Sequence, residues 1–468
     1  MKATRDLLTE PIPRTLLRFS APFVLTAFAE MAYGLVDMMW IGRINAEAVA
    51  AVGLVALLIW FGDALSLIGK NGMGVLVARY YGRAQSQEGT THSEVRAGLL
   101  RRLGAGFQLS LFIALAFCLM AQLLLVPFAK SYRLGALVYQ DLLTYGRIVL
   151  VGKIFGMMGV SYSQAYSSLG NSMVPFLINL VGLAFNMVLD PLLIFGLGFF
   201  PAMGVAGAAW ATSLSQLLVW FLLFIYSRSR KPHELLHLIG RASLRRPIDR
   251  SLYRQMLKIG LPMALMSLIL CLISMVTNRL LARFGAVAVA VGALGAQIES
   301  ISWMTTEGLG SALTSMVAQN IGAGHRKRVR DTVLVGGGIS LAIGLFASLL
   351  FVLWGPNIFA IFMREEEAIR IGAGYLLIFA VQEPFMGLES ASTATYAALG
   401  DTLFPSIVSL ITNIGRVPGA LFLMRYFGVY GVWIAMSDMG VLRSAMILVG
   451  LVGKLRTYLK TGYLATQA

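Results

Sequence analysis

The chain has 468 residues, of which 57% are hydrophobic and only 13% are charged, and it carries a net charge of +16. Soluble globular proteins contain about 25% charged residues, so this composition and the mean hydropathy of +0.76 exclude a soluble or disordered chain. Two cysteines exclude a disulfide scaffold, and no polar stretch is long enough to form a basic nucleic-acid-binding domain. The composition therefore predicts a multi-pass protein that faces membrane lipids.

Apolar runs between polar or Gly/Pro breaks predict the membrane-spanning helices. A bilayer core about 30 Å thick takes about 20 apolar residues per helix. By that measure the chain is an all-α polytopic membrane protein with twelve spans, several of them long enough to tilt or kink. The predicted spans are 15–41, 48–80, 98–128, 139–168, 172–196, 204–227, 253–283, 287–320, 331–355, 368–397, 403–424 and 430–455.

The distribution of Lys and Arg predicts the orientation of the chain. Twelve spans place both termini on one side, and basic residues collect in cytoplasmic loops, where they also meet anionic lipid headgroups. One set of loops is basic, whereas the alternate set is poorer in Lys and Arg and includes the acidic run 365–367. We therefore expect a cell (inner) membrane protein with both termini in the cytoplasm. The basic loops include Arg79, Arg83, Arg96, Arg101, Arg102, Arg228, Arg245, Arg246, Arg326, Lys327, Arg328 and Arg330.

The two halves of the chain repeat one another. The stretch "YSSLGNSMVP" at 166–175 matches "YAALGDTLFP" at 396–405, and "GVAGAAWA" at 204–211 matches "GVYGVWIA" at 428–435. Because each half contains six spans, the halves have the same orientation. This is a parallel repeat with its pseudo-two-fold axis along the membrane normal.

The repeat predicts three parts. Residues 1–228 form an N-terminal six-helix lobe, 229–252 a basic cytoplasmic linker, and 253–468 a C-terminal six-helix lobe. Two pseudo-symmetric bundles that face each other would leave a cleft able to open to either side. That is the architecture of a transporter, although a fold alone does not fix a function.

Four polar residues of the first half are predicted at similar membrane depth. Asp37 lies about a turn below the outer end of the first span, and Asp190 lies one to two turns below that of the fifth. Asn186 is one turn deeper than Asp190 on the same face, and Thr212 lies about two turns down the sixth span. At 1.5 Å of rise per residue, the four lie within about 15 Å of one another in depth. Because carboxylates inside a membrane are costly, each is a functional candidate.

The residue types at this depth leave two chemistries open. Two carboxylates, an amide oxygen and a hydroxyl are hard oxygen ligands that suit a small hard cation such as Na⁺, and a carbonyl freed by Pro191 could add a ligand. Two close carboxylates could instead hold a proton, because both cannot stay ionised cheaply. Alternatively, Asp37 and Asp190 are unrelated structural caps near helix ends.

The repeat places the predicted cation site in the N-terminal lobe only. The equivalents of Asp37, Asn186 and Asp190 in the second half are Thr277, Arg416 and Ala420. Carboxylates that only stabilise the fold are expected in both halves of the repeat. Because only the first half contains them, the pattern favours a dedicated site there.

Several motifs along the chain carry a family resemblance. They are "VDMMWIGRINAEAVAAVGL" (36–54), "VLVARYYGRA" (75–84), "YSSLGNSMVP" (166–175), "NMVLDPLLIFG" (186–196), "GVAGAAWAT" (204–212), "MVAQNIGAG" (316–324) and "AALGDTLFP" (397–405). With twelve spans and two repeats, they make the chain resemble the multidrug and toxic compound extrusion (MATE) family along nearly its whole length. The seventh span lacks the glutamate that some members use as a C-lobe site, so the chain resembles most the DinF-like and archaeal branch.

The resemblance implies two six-helix lobes in a V shape and a secondary antiporter that exports organic cations or amphiphilic drugs in exchange for Na⁺ or H⁺. It implies a cation-binding site at positions that match Asp37, Asn186, Asp190 and Thr212, which would bind Na⁺ if the protein is sodium-coupled. No cofactor other than the coupling ion is expected, and a single twelve-helix chain already provides a complete cleft. We therefore expect a functional monomer that contacts membrane lipids.

Other polar or flexible residues at membrane depth are candidates for the substrate cleft. They are Glu30, Met157 and Arg416. Glu30 could bind a cationic substrate or pair with Lys70, and Asp63 could pair with Lys70 along the second span. Acidic residues of the second half could pair within their lobe or form a polar patch on the cleft wall; they include Glu299, Glu307, Glu383 and Glu389.

Two other functions compete with antiport. A lipid-linked-precursor flippase of the same superfamily would need several basic groups for a pyrophosphate, and Arg416, Arg279 and Lys153 are a thin supply. A membrane-embedded lipid-modifying enzyme would need an acid or metal motif, and no DxD or DDxxD pattern occurs. The chain has no GxxxxGK[ST] phosphate loop, so neither an enzyme nor an ATP-driven pump is expected.

Overall fold

The observed helices follow the apolar runs of the sequence closely. The computed structural model describes residues 7–44, 46–86, 91–131, 135–196, 198, 201–228, 236–242, 249–363 and 365–461. Within these ranges the chain forms α-helices, one short 3₁₀ helix at Ala282–Phe284 and no strand. The helices are α1 (Ile12–Gly42), α2 (Ala46–Ser86), α3 (His92–Ser131), α4 (Ala136–Ser168), α5 (Met173–Phe195), α6 (Val205–Arg228), α7 (His237–Arg241), α8 (Arg250–Leu281), α9 (Ala286–Gly322), α10 (Arg326–Phe362), α11 (Glu366–Ala398), α12 (Leu403–Phe427) and α13 (Val429–Thr461).

All helices except α7 are long, and each long helix occupies the place of one predicted span. By length and composition, ten helices in the described ranges can cross a membrane; α1 and α9 are the two long helices outside that set. Large apolar side chains point outward from the helices, such as Phe112 at 70% and Ile361 at 76% exposure. Such a surface suits acyl chains rather than water, so the chain is an all-α polytopic membrane protein.

Contacts group the described helices into two compact units. Unit 1 contains Leu25–Ala264, and unit 2 contains Leu7–Val24 together with Leu265–Ala468. This grouping differs from the division predicted at 229–252, because the first halves of α1 and α8 each pack with the helices of the other repeat. The sequence repeat still contains six spans in each half. In the packed structure, the first halves of α1 and α8 are exchanged between the two units.

Small residues allow the exchanged segments to approach their neighbours. A Cβ at Gly260 of α8 would lie 2.6 Å from the carbonyl oxygen of Ile68 on α2, and one at Gly72 would lie 2.6 Å from that of Met256. In unit 2, a Cβ at Gly308 of α9 would lie 2.9 Å from the backbone nitrogen of Val24 on α1. Since no Cβ tolerates such distances, these crossings require glycine.

Polar contacts fix the first residues of both exchanged segments. In unit 2, the Arg328 guanidinium donates to the carbonyls of Leu7 and Glu10. In unit 1, Arg101 lies 2.5 Å from Asp249 Oδ2, and Asp249 Oδ1 caps α8 by accepting from the Leu252 N–H at 3.2 Å. Burial by itself would raise the pKa of Asp249, but the hydrogen bonds from Leu252 and Arg101 lower it below its ordinary value.

The described part of the predicted linker is anchored in unit 1. It contains α7, which the sequence did not predict, and Leu236, Leu238 and Ile239 are buried in the unit 1 core. The linker therefore contributes apolar packing as well as basic charge.

Candidate functional site

The turn between α5 and α6 brings these two helices together at one end. The N–H groups of Met203 and Gly204 donate to the carbonyls of Leu193 and Ile194 at 2.9 and 3.1 Å. A Cβ at Gly207 would lie 2.4 Å from the Leu193 carbonyl oxygen, so only glycine permits this approach. The two helices run antiparallel from this point, and their facing polar residues can share a depth.

The end of α1 packs against the end of α5 in the same unit. The rings of Trp40 and Phe195 meet at 6.0 Å in a T-shaped contact. Asp37 precedes Trp40 by three residues, and Asp190 precedes Phe195 by five. The aromatic contact therefore places Asp37 about 4.5 Å and Asp190 about 7.5 Å below the level of the two rings.

The carboxylates and the amide of this group are buried without partners. Asp190 is 0% exposed, Asn186 is 1% exposed, and Asp37 is half-buried. Within the described residues, both Asp190 oxygens, Asp37 Oδ1 and both amide atoms of Asn186 have no hydrogen-bond partner. Asp37 and Asp190 are close enough to interact electrostatically. Buried polar groups are normally paired, so this cluster has the composition of a site for a positive charge.

Thr212 lies on α6 at a compatible depth. It is half-buried and follows Gly204 by eight residues, or about 12 Å of helix. Asn186 precedes Ile194 by the same number of residues on the antiparallel α5. The structure thus brings Asp37 and Asp190 within electrostatic reach of each other and places Thr212 level with Asn186.

A proline interrupts the hydrogen bonds of α5 beside the group. Pro191 lies inside α5 and has no N–H, so the carbonyl of Met187 receives no helical hydrogen bond from it. That carbonyl belongs to the residue next to Asn186 in the chain.

The repeat-related positions of unit 2 form no equivalent group. The Thr277 hydroxyl donates to the Ile273 carbonyl of its own helix at 3.0 Å, and Ala420 is buried among apolar side chains. The fold is duplicated at these positions, but the oxygen ligands are not.

The predicted substrate-cleft residues are found in different places. The side chain of Glu30 lies outside the described residues. Met157 is 2% exposed and lines a narrow gap in unit 1, too small to hold a water molecule, together with Ser66, Ser110 and Ser161. Arg416 belongs to unit 2, is half-buried, and its Nε has no hydrogen-bond partner in the part of the chain that the structure describes. Their assignment to a substrate cleft stays a prediction.

The predicted pairing of Asp63 with Lys70 is wrong. Asp63 Oδ1 lies 2.5 Å from Nζ of Lys153 on α4. Residues seven apart are about 10 Å apart along a helix, whereas α2 and α4 pack side by side. The distance of about 10 Å between Asp63 and Lys70 along α2 is too long for an ion pair. Nothing in the sequence identified Lys153 as the partner instead.

Unit 2 contains a buried polar network. The sequence indicated its acidic residues but not their partners. The Tyr375 hydroxyl donates to Glu299 at 3.1 Å, and Arg443 lies 2.7 Å from Glu389. Glu383 is 1% exposed. For Glu299 and Glu389 this is the predicted pairing within one lobe. Among the residues the structure describes, no group of three or more His, Cys, Asp or Glu side chains is placed to hold a metal ion.

One family model and two known relatives each match most of this chain. The sequence model of the MatE family matches residues 22–192 and 262–422. The probable multidrug resistance protein YoeA of Bacillus subtilis (strain 168) is 25% identical over 429 residues, which are 90% of this chain and 89% of that protein. The FAD transporter of Shewanella oneidensis is 27% identical over 389 residues, 81% and 80% of the two chains.

Solved structures share the fold over nearly the full length. A crystal structure of MATE in complex with MaL6 superposes with a TM-score of 0.86 at 21% identity, and it covers 97% of this chain and 99% of that one. A MOP superfamily transporter from Pyrococcus furiosus, described as having a binding pocket of reverse polarity, gives 0.84 at 21% identity, with 97% and 98% covered. At this identity the likeness concerns the fold alone.

Proposed function

The chain belongs to the MatE family, and we propose that it is a secondary active antiporter that exports organic cations or amphiphilic drugs in exchange for Na⁺ or H⁺. The chain is a multi-pass membrane transporter of small molecules rather than an enzyme, as the family and the names of its multidrug-resistance relatives indicate. We propose in addition that transport is coupled to Na⁺ or H⁺, that this ion binds in unit 1, and that the substrates are organic cations or amphiphilic drugs.

The buried oxygen cluster of unit 1 is the observation that supports this proposal. Asp37, Asn186 and Asp190 present buried polar atoms without a hydrogen-bond partner among the described residues. Burying an unpaired carboxylate costs several kcal/mol, and a bound Na⁺ or proton would offset that cost. Thr212 and the Met187 carbonyl would complete the oxygen set for Na⁺.

Coupling would follow from the helices that carry these ligands. A positive charge between α1, α5 and α6 would draw Asp37 and Asp190 together, whereas its release would restore their repulsion. If the two charge states favour different helix positions, the ion and the substrate each bias the same equilibrium. Such coupling is reciprocal for the binding free energies.

The remaining expectations are part of the same proposal. The basic loops favour an inner-membrane protein with cytoplasmic termini that acts as a monomer among membrane lipids. Its energy source would be the ion gradient, with no ATP and no cofactor beyond the coupling ion.

The flippase alternative has less support. A pyrophosphate site needs free basic groups, and Lys153 is paired with Asp63 at 2.5 Å. The three basic groups that the sequence offers are thereby reduced to Arg279 and Arg416.

Efflux from proteoliposomes tests the proposed function. The purified protein is reconstituted with a fluorescent organic cation, and a Na⁺ gradient and a pH gradient are imposed separately. We expect one gradient to drive efflux, and Asp37→Asn and Asp190→Asn each to abolish it, because the amide cannot bind the coupling ion as a carboxylate does.

Glu366→Gln serves as the matched control, since Glu366 is an exposed carboxylate in the first turn of α11, outside the predicted spans. It should transport at the rate of the unaltered protein. Normal gradient-driven efflux by both Asp37→Asn and Asp190→Asn would refute the cation site.

A further inference from the structure

A charged pair lies between α2 and α4, on helices that do not carry the proposed cation site. Lys153 Nζ lies 2.5 Å from Asp63 Oδ1, yet the Lys153 side chain is 7% exposed and that of Asp63 is 52% exposed. Gly62 leaves space for Phe117 and the lysine, because a Cβ there would lie 2.8 Å from Phe117 Cε1 and 3.3 Å from Lys153 Cε. The ammonium is therefore held inside unit 1, and the carboxylate is presented at its surface.

The depth of Asp63 restricts what its exposed side can face. It lies within one residue of the midpoint of the predicted span 48–80. That is near the middle of a hydrocarbon core about 30 Å thick. A carboxylate at that depth is costly against acyl chains and faces a bundle interior or a water-filled cavity instead. The accessible side of Asp63 therefore borders a space that water or a solute can enter.

An aromatic side chain shares this face. Trp60 precedes Asp63 by one turn and is 41% exposed. Ala56 is also exposed. Apart from the backbone of α2 itself, no atom of the described residues lies within 4 Å of the position a Cβ at Gly53 would take. One face of α2 thus combines an open surface of small residues, an indole ring and a carboxylate.

We propose that Trp60 and Asp63 form a recognition site for an organic monocation that carries aromatic or quaternary ammonium groups. The indole face attracts a cation through its quadrupole, and the carboxylate supplies the opposite charge. The buried Lys153 ammonium offsets part of that charge, so the cation is held weakly enough to be released. This inference rests on the proposed function for its substrate class, and it assigns that substrate a place apart from the coupling ion.

Equilibrium binding tests the site without any ion gradient. Tetraphenylphosphonium, a bulky aromatic monocation, is titrated into the purified full-length protein in detergent. We expect Asp63→Asn and Trp60→Leu each to weaken binding by about tenfold, the loss of one cation–π or charge contact. Asp331→Asn and Trp354→Leu are the matched controls on α10 and should bind normally; Asp331 is ion-paired with Arg330, and Trp354 is 49% exposed.

A charge swap separates recognition from a structural role. Asp63→Asn leaves Lys153 buried without its carboxylate and could unfold the protein, so Asp63→Lys is combined with Lys153→Glu. The swapped pair should restore thermal stability, but binding should stay lost because the exposed position now repels a cation. Restored binding in the swapped protein would mean that the pair only supports the fold.

The outcomes distinguish this inference from the proposed antiport. Unchanged affinity in both Asp63→Asn and Trp60→Leu would overturn the recognition site, even if an ion gradient still drives efflux. Normal binding that depends on both residues, with no efflux under either gradient, would support the recognition site and count against antiport. Absence of saturable binding to the unaltered protein would overturn the inference as well.

Discussion

At the scale of single residues, the membrane-embedded carboxylates are of two kinds: some are paired with a basic side chain and others are not. Asp63 and Glu389 are each paired with a base. Asp190 is fully buried, and neither of its oxygens has a hydrogen-bond partner in the described ranges. The base compensates the charge of a paired carboxylate, whereas a buried unpaired carboxylate has a desolvation cost that makes it a functional candidate.

This difference predicts the stability of Asp190→Asn. Replacing a buried, unpaired carboxylate by a neutral isostere removes a desolvation cost, so the variant should unfold at the same temperature as the unaltered protein or higher. Asp401→Asn is the control, because Asp401 is ion-paired with Lys454, and it should lose about 1 kcal/mol. Thermal unfolding in detergent without added Na⁺ measures both, and a larger loss in Asp190→Asn than in Asp401→Asn would contradict an unpaired state.

At the scale of helices, glycines decide how closely pairs of helices pack, and the repeat preserves them. A Cβ at Gly207 would lie 2.4 Å from the Leu193 carbonyl, and one at Gly431 would lie 2.3 Å from that of Leu423. The α5–α6 and α12–α13 pairs therefore share one packing device. Only the α5–α6 pair also carries the carboxylate and the amide of the candidate site.

Gly207→Ala should separate α5 from α6. The added methyl group cannot fit beside a backbone carbonyl, so we expect a loss of about 1–3 kcal/mol and slower gradient-driven efflux. Gly337→Ala on α10 is the matched control, since no described atom outside the backbone of α10 lies within 4 Å of its Cβ position. It should be neutral or stabilising by up to about 1 kcal/mol. Equal stability of the two variants would show that the α5–α6 contact tolerates a side chain.

At the scale of the whole molecule, the chain exchanges segments between its two packed units. Leu7–Val24 packs in unit 2, and the first half of α8, up to Ala264, packs in unit 1. Each half of the sequence therefore contributes a helix segment to the unit built mainly by the other half.

A cut in the linker tests this exchange. A protease site inserted within 243–248 would divide the chain before α8, and the two fragments should still elute together in detergent. Their association should fail when Gly260→Leu and Gly308→Leu are introduced together, because both close crossings of the exchanged segments would be blocked. Separation of the fragments without these substitutions would contradict the observed packing.

The sequence by itself determined the number and order of the long helices, because a bilayer demands a minimum apolar length that is legible in each run. It also identified the repeat and the unduplicated Asp37 and Asp190, since motif matches and charge at membrane depth need no contacts. The positions of Asn186 and Thr212 along their predicted spans were enough to place both residues at a depth similar to that of the two carboxylates.

Only the tertiary structure decided which distant groups meet. Asp63 pairs with Lys153, ninety residues away, rather than with Lys70 on its own helix, and Leu236–Ile239 of the linker enter the unit 1 core. The exchange of the first halves of α1 and α8 likewise depends on glycines whose partners lie on other helices. Hydrophobic periodicity records which residues are apolar along one helix, whereas the choice of neighbour depends on the shape and charge of surfaces that exist only once the helices have packed.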